Sequence, residues 1–354
     1  MTADLVPPLP RMAHDSDHER PTLKTIAAET GLAVATVSRA LKDAPDIGEA
    51  TKTRVREAAQ RLGYRPNRAG VRLRTGKTNV IALVLSTETD MMNHTSRLIY
   101  SIANALRGTA YHMIVMPFFP DQDPMDPIRY IVETESADAV ILNQTKPDDP
   151  RVRYMHDRGF PFATHGRTEM AIDHPFFDFD NEAFGRIAVQ ALVARGRKRL
   201  LLIPPPRVHA YSRHMTTGFA AAAAECGATF EVETLVSSDS PGDAVDAAIH
   251  ARMTATPRPD GILAGSTTSA MAAIAGAERA GLALGRDFDV VAKEAIRFLR
   301  RFRRDIHIVH EDVGKAGDFL ARAAVAAIEK RADVELQGLE RPSQVEAPEH
   351  TKDH

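Results

Sequence analysis

The segment 22–41, TLKTIAAETGLAVATVSRAL, constrains this chain more than any other stretch. Apolar residues at Leu23, Ile26 and Ala27, then at Val34, Val37 and Leu41, follow the i, i+3, i+4, i+7 spacing of helices that bury one face. Gly31 lies between the two sets and can take the positive φ that ends one helix and turns the chain sharply. The pattern predicts two short helices, with Ala35, Thr36, Ser38 and Arg39 on the outer side of the second. Such a helix-turn-helix lays its second helix in the major groove of DNA.

The charge distribution agrees with that reading once it is resolved along the chain. The formal net charge is only −2. Between Thr22 and Thr78, however, twelve Lys and Arg face five acids, a balance of +7 that leaves −9 for the remainder. A basic module on an acidic body is the asymmetry expected of a DNA-binding arm.

A third amphipathic helix is expected from Glu49 to Leu62, burying Val55, Ala58, Ala59 and Leu62 and stopping at Gly63. After Pro66 comes a basic run, residues 67–74, too short to hold a helix in water alone. From Val80 onward, short apolar runs at Val80–Leu85, His112–Met116, Ala139–Leu142, Phe162–His165, Arg199–Ile203, Gly261–Ala264 and Asp289–Val291 alternate with amphipathic stretches. Those stretches include Ser96–Leu106, Glu182–Ala194, Arg213–Cys226 and Thr267–Ala280. This alternation predicts parallel sheets covered by helices on both faces. The order restarts near Phe179, giving two doubly wound lobes, and the chain is expected to return through Ile306–Val309 and a helix over Gly314–Lys330.

A length of 354 residues with 44% hydrophobic residues accommodates several domains with real cores. The expected division is a disordered tail at 1–20, a DNA-binding headpiece at 21–66, a hinge at 67–78, a two-lobed core at 79–340 and a flexible tail at 341–354. The single cysteine, Cys226, excludes an internal disulfide framework and fits a reducing cytoplasm. No run of 18 apolar residues offers a membrane span, and the Pro-rich start lacks the apolar centre of a signal peptide.

The headpiece resembles that of the lactose-repressor (LacI/GalR) family of bacterial transcription factors. The pattern T-L-K-x-I-A, then G-L-x-x-x-T-V-S-R-A-L, is matched nearly position for position, and the match continues from Val55 to Asn67. The resemblance implies an all-α helix-turn-helix headpiece joined by a hinge helix to an α/β, periplasmic-binding-protein-like core. It implies a homodimer on pseudo-palindromic, double-stranded operator DNA, most often as a repressor, controlled by a small-molecule effector in the cleft between the lobes. By position, Val34, Ala35 and Arg39 would read bases, and Arg39 could donate two hydrogen bonds to a guanine. Thr22, Thr36, Ser38, Asn67 and Arg68 would meet the DNA backbone. Leu73, flanked by Arg72 and Arg74, would wedge into the minor groove. Two departures are expected to weaken the free headpiece and hinge: Ala33 where a capping serine is usual, and Gly70 where alanine is usual.

The cleft departs further from the family. Ser266-Thr267 stands where sugar-responsive members carry Asn-Asp, and Met215 where an effector-binding arginine is common, with Arg213 two residues earlier. Val290-Val291-Ala292-Lys293-Glu294-Ala295 replaces Val-Val-Gly-Phe/Tyr-Asp-Asp, while Arg167 matches a ligand-contacting position. Loss of an aspartate and gain of Lys293 suggest a less acidic cleft. Arg167, His165, Arg213 and Lys293 are therefore expected to converge on an anionic or phosphorylated metabolite, with a neutral sugar as the alternative ligand.

Nothing in the sequence points to an enzyme. Gly76-Lys77-Thr78 resembles the end of a phosphate-binding loop, but Val71 stands where that motif needs glycine, and no strand precedes it. There is no G-x-S-x-G, and the fourteen histidines show no H-E-x-x-H or Cys/His zinc spacing. No cofactor or metal is expected. A secreted solute-binding protein would share the core but would have no use for the basic headpiece.

Overall fold

The structure is a computed structural model that describes residues 21–64, 72, 76–87, 94–342 and 344–348. It divides into two compact units, residues 1–77 and 78–354.

Among the described residues the first unit holds three helices: α1 (Leu23–Thr30), α2 (Val34–Ala40) and α3 (Glu49–Arg61). Thr22 and Thr25 cap α1 reciprocally, the Thr25 amide donating to Thr22 Oγ1 at 3.3 Å and the Thr22 amide to Thr25 Oγ1 at 3.0 Å. Gly31 closes α1 in the left-handed region at φ 66°, as the helix-break pattern predicts. Ile26, Ala27, Val37, Ala40, Val55, Ala58 and Ala59 form the core, ringed by Leu23, Leu32, Leu41, Ile47, Leu62 and Tyr64. With so small a core, end effects matter. Ala33 leaves the start of α2 without a side-chain cap. Ala33→Ser should therefore stabilise the headpiece by about 1 kcal/mol, read as a rise in the midpoint of its thermal unfolding by circular dichroism.

The second unit is built on two all-parallel sheets. The first contains β1 (Val80–Ser86), β2 (His112–Phe118), β3 (Ala139–Leu142), β4 (Phe162–His165), β5 (Phe176–Phe179) and β11 (Gln337–Glu340), in the order β11-β5-β4-β3-β1-β2. The second contains β6 (Arg199–Ile203), β7 (Thr229–Val232), β8 (Gly261–Ala264), β9 (Asp289–Glu294) and β10 (His307–His310), in the order β10-β9-β8-β6-β7. The helices are α4 (Ser96–Ala105), α5 (Met125–Thr134), α6 (Pro150–Asp157), α7 (Asn181–Ala194), α8 (Ala210–Glu225), α9 (Gly242–Thr254), α10 (Thr267–Arg279), α11 (Leu299–Phe302) and α12 (Val313–Glu329).

Each sheet is buried on both faces, which is why its central strands read as continuous apolar runs. In the first lobe, Ile81, Leu83 and Leu85 pack beneath α4 and α12, while Ala82 and Val84 face Ile128, Ile131, Val152 and Met155 of α5 and α6. In the second, Leu201, Ile203 and Ile262 face α9 and α10, and Leu200, Leu202 and Leu263 face α7 and α8.

The return path differs from the sequence expectation. Strand β10 stays in the second sheet, and the chain crosses back only afterwards, through Glu311 and Asp312 into α12 and then β11. A first crossing lies at Asp180, between β5 and α7, and a third follows β11. There Glu346 pairs antiparallel with Ile308, their amides donating across at 2.8 and 3.1 Å. The crossings are stitched together: the Asp180 amide donates to Glu340 O at 2.8 Å, and the Asp312 amide to Glu340 Oε2 at 3.2 Å. Strands β5, β7 and β11 have no counterpart among the apolar runs. Asp178 interrupts the first, and the other two are edge strands with mostly exposed or half-buried side chains.

Candidate functional site

Helix α2 carries five of the residues expected to contact DNA. Val34 (40% exposed), Ala35 and Arg39 face solvent, and Thr36 and Ser38 are half-buried beside them. Arg39 is ion-paired with Asp46 in the loop before α3, both side chains about half exposed. Thr22 is exposed but its hydroxyl already serves the α1 cap. Arg72 is exposed, and its carbonyl accepts from the Gly76 amide at 2.8 Å. Asn67, Arg68, Leu73 and Arg74 lie outside the described residues. Lys52 is nearly buried between Glu49 (2.8 Å) and Asp43 (2.9 Å), and Arg56 also reaches Asp43.

The second unit contains a cleft of about 900 Å³, including its open mouth. Its walls come from the carboxyl ends of strands in both sheets, where open parallel sheets bind ligands. From the first lobe come His94 and Thr95 ahead of α4, Asn143 and Gln144 after β3, His165 and Gly166 at the end of β4, and Asp178 and Phe179 of β5. From the second come Asn181, Pro205, Tyr211, Ser238, Asp239, Gly265, Ser266, Thr267, Lys293 and Ala295, with Glu311 on the crossing.

Four expected residues, His165, Ser266, Thr267 and Lys293, line this cleft, and three do not. Met215 is fully buried in the second lobe's core, beside Phe179 and Phe184. Arg213 is 58% exposed and pairs with Glu169 at 3.0 Å, outside the lining. Tyr211 of the same helix does line the cleft, and Arg213 lies about 200° around α8 from it; Met215, one turn beyond Tyr211 on the same flank, is sunk in the core instead. Arg167 stands just behind the lining, its Nε 3.2 Å from Asp178 Oδ2. Ser266 and Thr267 spend their hydroxyls locally: Ser266 caps α10 and donates to Ser238 O at 2.9 Å, while Thr267 donates to Lys293 O at 3.2 Å.

The electrostatics also run against the expected excess of cations. Lys293 is the sole lysine or arginine among the described residues of the lining, and its Nζ is 2.8 Å from Glu311 Oε2 and 3.2 Å from Asn181 Oδ1. Burial alone would push the Glu311 carboxyl up, but Lys293 and the imidazoles of His94 and His165 outweigh it and hold it well below the usual carboxylate range. Burial, reinforced by His94, lowers the His165 pKa to about 3 against the pull of Glu311, so that ring is neutral at physiological pH.

Burial pushes Asp178 up to about 7, in spite of Arg167. An aspartate that keeps its proton to about pH 7 when folded, against 3.8 ordinarily, makes folding less favourable as pH rises across that interval. Wild type should therefore lose stability relative to Asp178→Asn between about pH 4 and 7, and the difference should level off above. Urea unfolding of both proteins across that range checks this, and parallel curves would contradict it.

The residues the sequence reading missed are Asp239, Asp178, Glu311, Asn143, His94 and Tyr211. Asp239 supplies from the β7–α9 loop a carboxylate that Thr267 does not supply after β8. Asn143 and Glu311 each directly follow a recognisable strand, so the strand-end rule was a usable signal for both.

Residues 22–67 match the model for bacterial regulatory proteins of the lacI family, and residues 78–298 match that for periplasmic binding proteins and the sugar binding domain of LacI family. The regulator RafR of Escherichia coli is 38% identical over 192 residues, 54% of this chain and 57% of RafR, so that match spans little more than half of it. AglR of Rhizobium meliloti (strain 1021), also a helix-turn-helix-type transcriptional regulator, is 30% identical over 326 residues, 90% of this chain and 91% of AglR. Among solved structures, the lac repressor dimer bound to operator and the anti-inducer ONPF superposes with TM-score 0.81 at 18% identity, covering 93% of this chain and 98% of that one. A complex of the regulator CelR with cellobiose superposes with TM-score 0.68 at 22% identity, covering 93% and 99%. No helix among the described residues is long and apolar enough to cross a membrane.

Proposed function

The chain belongs to the LacI family of bacterial regulatory proteins, as a DNA-binding transcriptional regulator with an effector-binding domain and not an enzyme, and we propose that its effector is a neutral saccharide. The observation that carries this reading is the charge balance of the cleft. Asp239 and Glu311, with an Asp178 that keeps its proton to about pH 7, line it against Lys293 alone, and Lys293 is already paired with Glu311. An entering phosphate would meet more carboxylate than ammonium and would have to break that buried pair. The anionic ligand expected from Arg167, His165, Arg213 and Lys293 loses its support: the two arginines sit on Asp178 and Glu169 outside the lining, and the histidine is uncharged.

A saccharide suits the same walls. Its hydroxyls can donate to the carboxylates and to the side-chain carbonyls of Asn143 and Asn181, in charge-assisted bonds where the acceptor is ionised. An apolar face of the sugar can lie against Tyr211, which lines the cleft. The fold shared with the CelR–cellobiose complex is consistent with such a ligand.

On DNA the protein acts as a homodimer on a pseudo-palindromic operator, since two identical headpieces on a two-fold axis require matching half-sites. Exposed Val115 on the edge strand β2 and Tyr100 on α4 offer apolar surface for a second copy. Ligand in the cleft bridges the lobes near the crossings at Asp180, Glu311 and Glu340, so closing on it changes the relation of the lobes and with it operator affinity. Calorimetry of the full chain with neutral mono- and disaccharides and with their phosphate esters tests the ligand class. At least one neutral sugar should bind while its phosphate ester binds far more weakly. Tight binding confined to phosphorylated or carboxylated compounds would overturn the reading.

A further inference from the structure

We propose that His94, His165 and Glu311 form a binding site, within the cleft, for a divalent first-row transition cation of the zinc type. The residues are far apart in the chain, so motif spacing could not show them, but the fold brings one ligand atom from each within 4.8 Å of the others. The two imidazoles stack with ring centroids 5.0 Å apart and planes 26° from parallel. Both turn Nε2 toward the same carboxylate oxygen, Glu311 Oε1, His94 at 3.4 Å and His165 at 3.9 Å. The other oxygen, Oε2, is the one held by Lys293 at 2.8 Å. Glu311 can thus ligate a cation through Oε1 without giving up its lysine, which then orients it from behind.

The donor set selects the ion. Two imidazole nitrogens and one carboxylate oxygen, with the remaining positions open to the cleft, suit Zn²⁺, Co²⁺ or Ni²⁺. Magnesium and calcium prefer all-oxygen sites. Ligation requires neutral histidine and ionised carboxylate. Asp239 in the same walls adds a further carboxylate near the site. Metal–nitrogen bonds of about 2.0–2.1 Å place tetrahedral donors roughly 3.3 Å apart, so ligand atoms that now lie within 4.8 Å of one another must draw together on binding. That closing would draw the Glu311 crossing toward the first lobe, whose β4 carries His165. The site goes beyond the saccharide reading and does not depend on it.

The test uses the full-length, untagged protein, stripped with chelator and titrated with Co²⁺ while visible absorption and heat are recorded. One equivalent should bind and give the intense bands of cobalt with fewer than six ligands, and Zn²⁺ should bleach them. His94→Gln and His165→Gln, which remove direct ligands, should each weaken binding by at least the roughly 10–100-fold that loss of an outer-shell partner costs, while the exposed His156→Gln leaves it unchanged. If either cleft variant fails to fold, the wild-type cobalt spectrum and its displacement by Zn²⁺ still decide. Absence of a bound equivalent, displacement by equal Mg²⁺, or undiminished binding in both folded cleft variants would overturn the proposal. Saccharide binding by the stripped protein is measured separately, so failure of the metal site and failure of the saccharide reading are distinguishable.

Discussion

Asp149→Ala should destabilise the core by about 3–5 kcal/mol, the usual result of leaving one charge of a buried pair alone. Asp149 is fully buried and Arg151 nearly so, joined at 2.7 Å. Asp149 also accepts the amides of Lys146 and Arg151, which fixes the start of α6. Burial tends to raise the Asp149 pKa, but Arg151 and these amides prevail and hold it below the ordinary value. The pair matters for the cleft as well as the core. Arg151 Nη2 donates to the carbonyls of Asn143 and Gln144 at 3.3 and 3.0 Å, setting the backbone of two lining residues. Urea unfolding should therefore show a large shift in midpoint for Asp149→Ala, together with weaker saccharide binding. Asp148→Ala is the control, because its pair with Arg153 is more than half exposed on both sides and worth about 0–1 kcal/mol. Equal effects of the two substitutions would contradict this account of the β3–α6 corner.

Arg39→Ala should cost about 1–3 kcal/mol of operator affinity, roughly a 5- to 150-fold loss, with binding to random DNA at the same salt nearly unchanged. The ion pair with Asp46 has to open before the guanidinium can reach a base, but it is half exposed and worth at most about 1 kcal/mol. The base contact therefore outweighs it. For the same reason Asp46→Asn, which removes the competitor, should leave operator affinity equal or slightly higher. Fluorescence anisotropy on operator and scrambled duplexes measures both. A loss of similar size on the two duplexes would assign Arg39 to the phosphate backbone instead.

The headpiece was legible because its signals are local. Helix periodicity, a glycine break and a basic surplus lie within a few dozen residues, and the three helices fall where those signals put them. The two-lobed α/β core was legible in outline for a related reason: fully covered parallel strands such as β1, β3 and β6 must be apolar throughout. Edge strands carry no such demand, so β7 and β11 left no trace, and with β11 went the true path of the chain back to the first lobe. The cleft was legible only where a residue sits on a recognised strand end, as His165 and Lys293 do. Its charge was not. Asp178 lies inside an unrecognised strand, Asp239 in a long loop, and Arg213 turns away on a helix whose phase depends on how α8 packs against α7. Whether a cleft cation is free or neutralised is a property of tertiary contacts, and Glu311, Asp178 and Glu169 decide it here.

The division of labour between a basic helical unit that holds DNA and a bilobed unit that answers to ligand is tested most directly by removing the first unit. A chain beginning at Thr78 retains all four hydrophobic clusters of the core. Its saccharide binding should match that of the full chain, and its affinity for operator over random DNA should vanish. Retention of the operator by the shortened chain, as tightly as by the full one, would contradict the account.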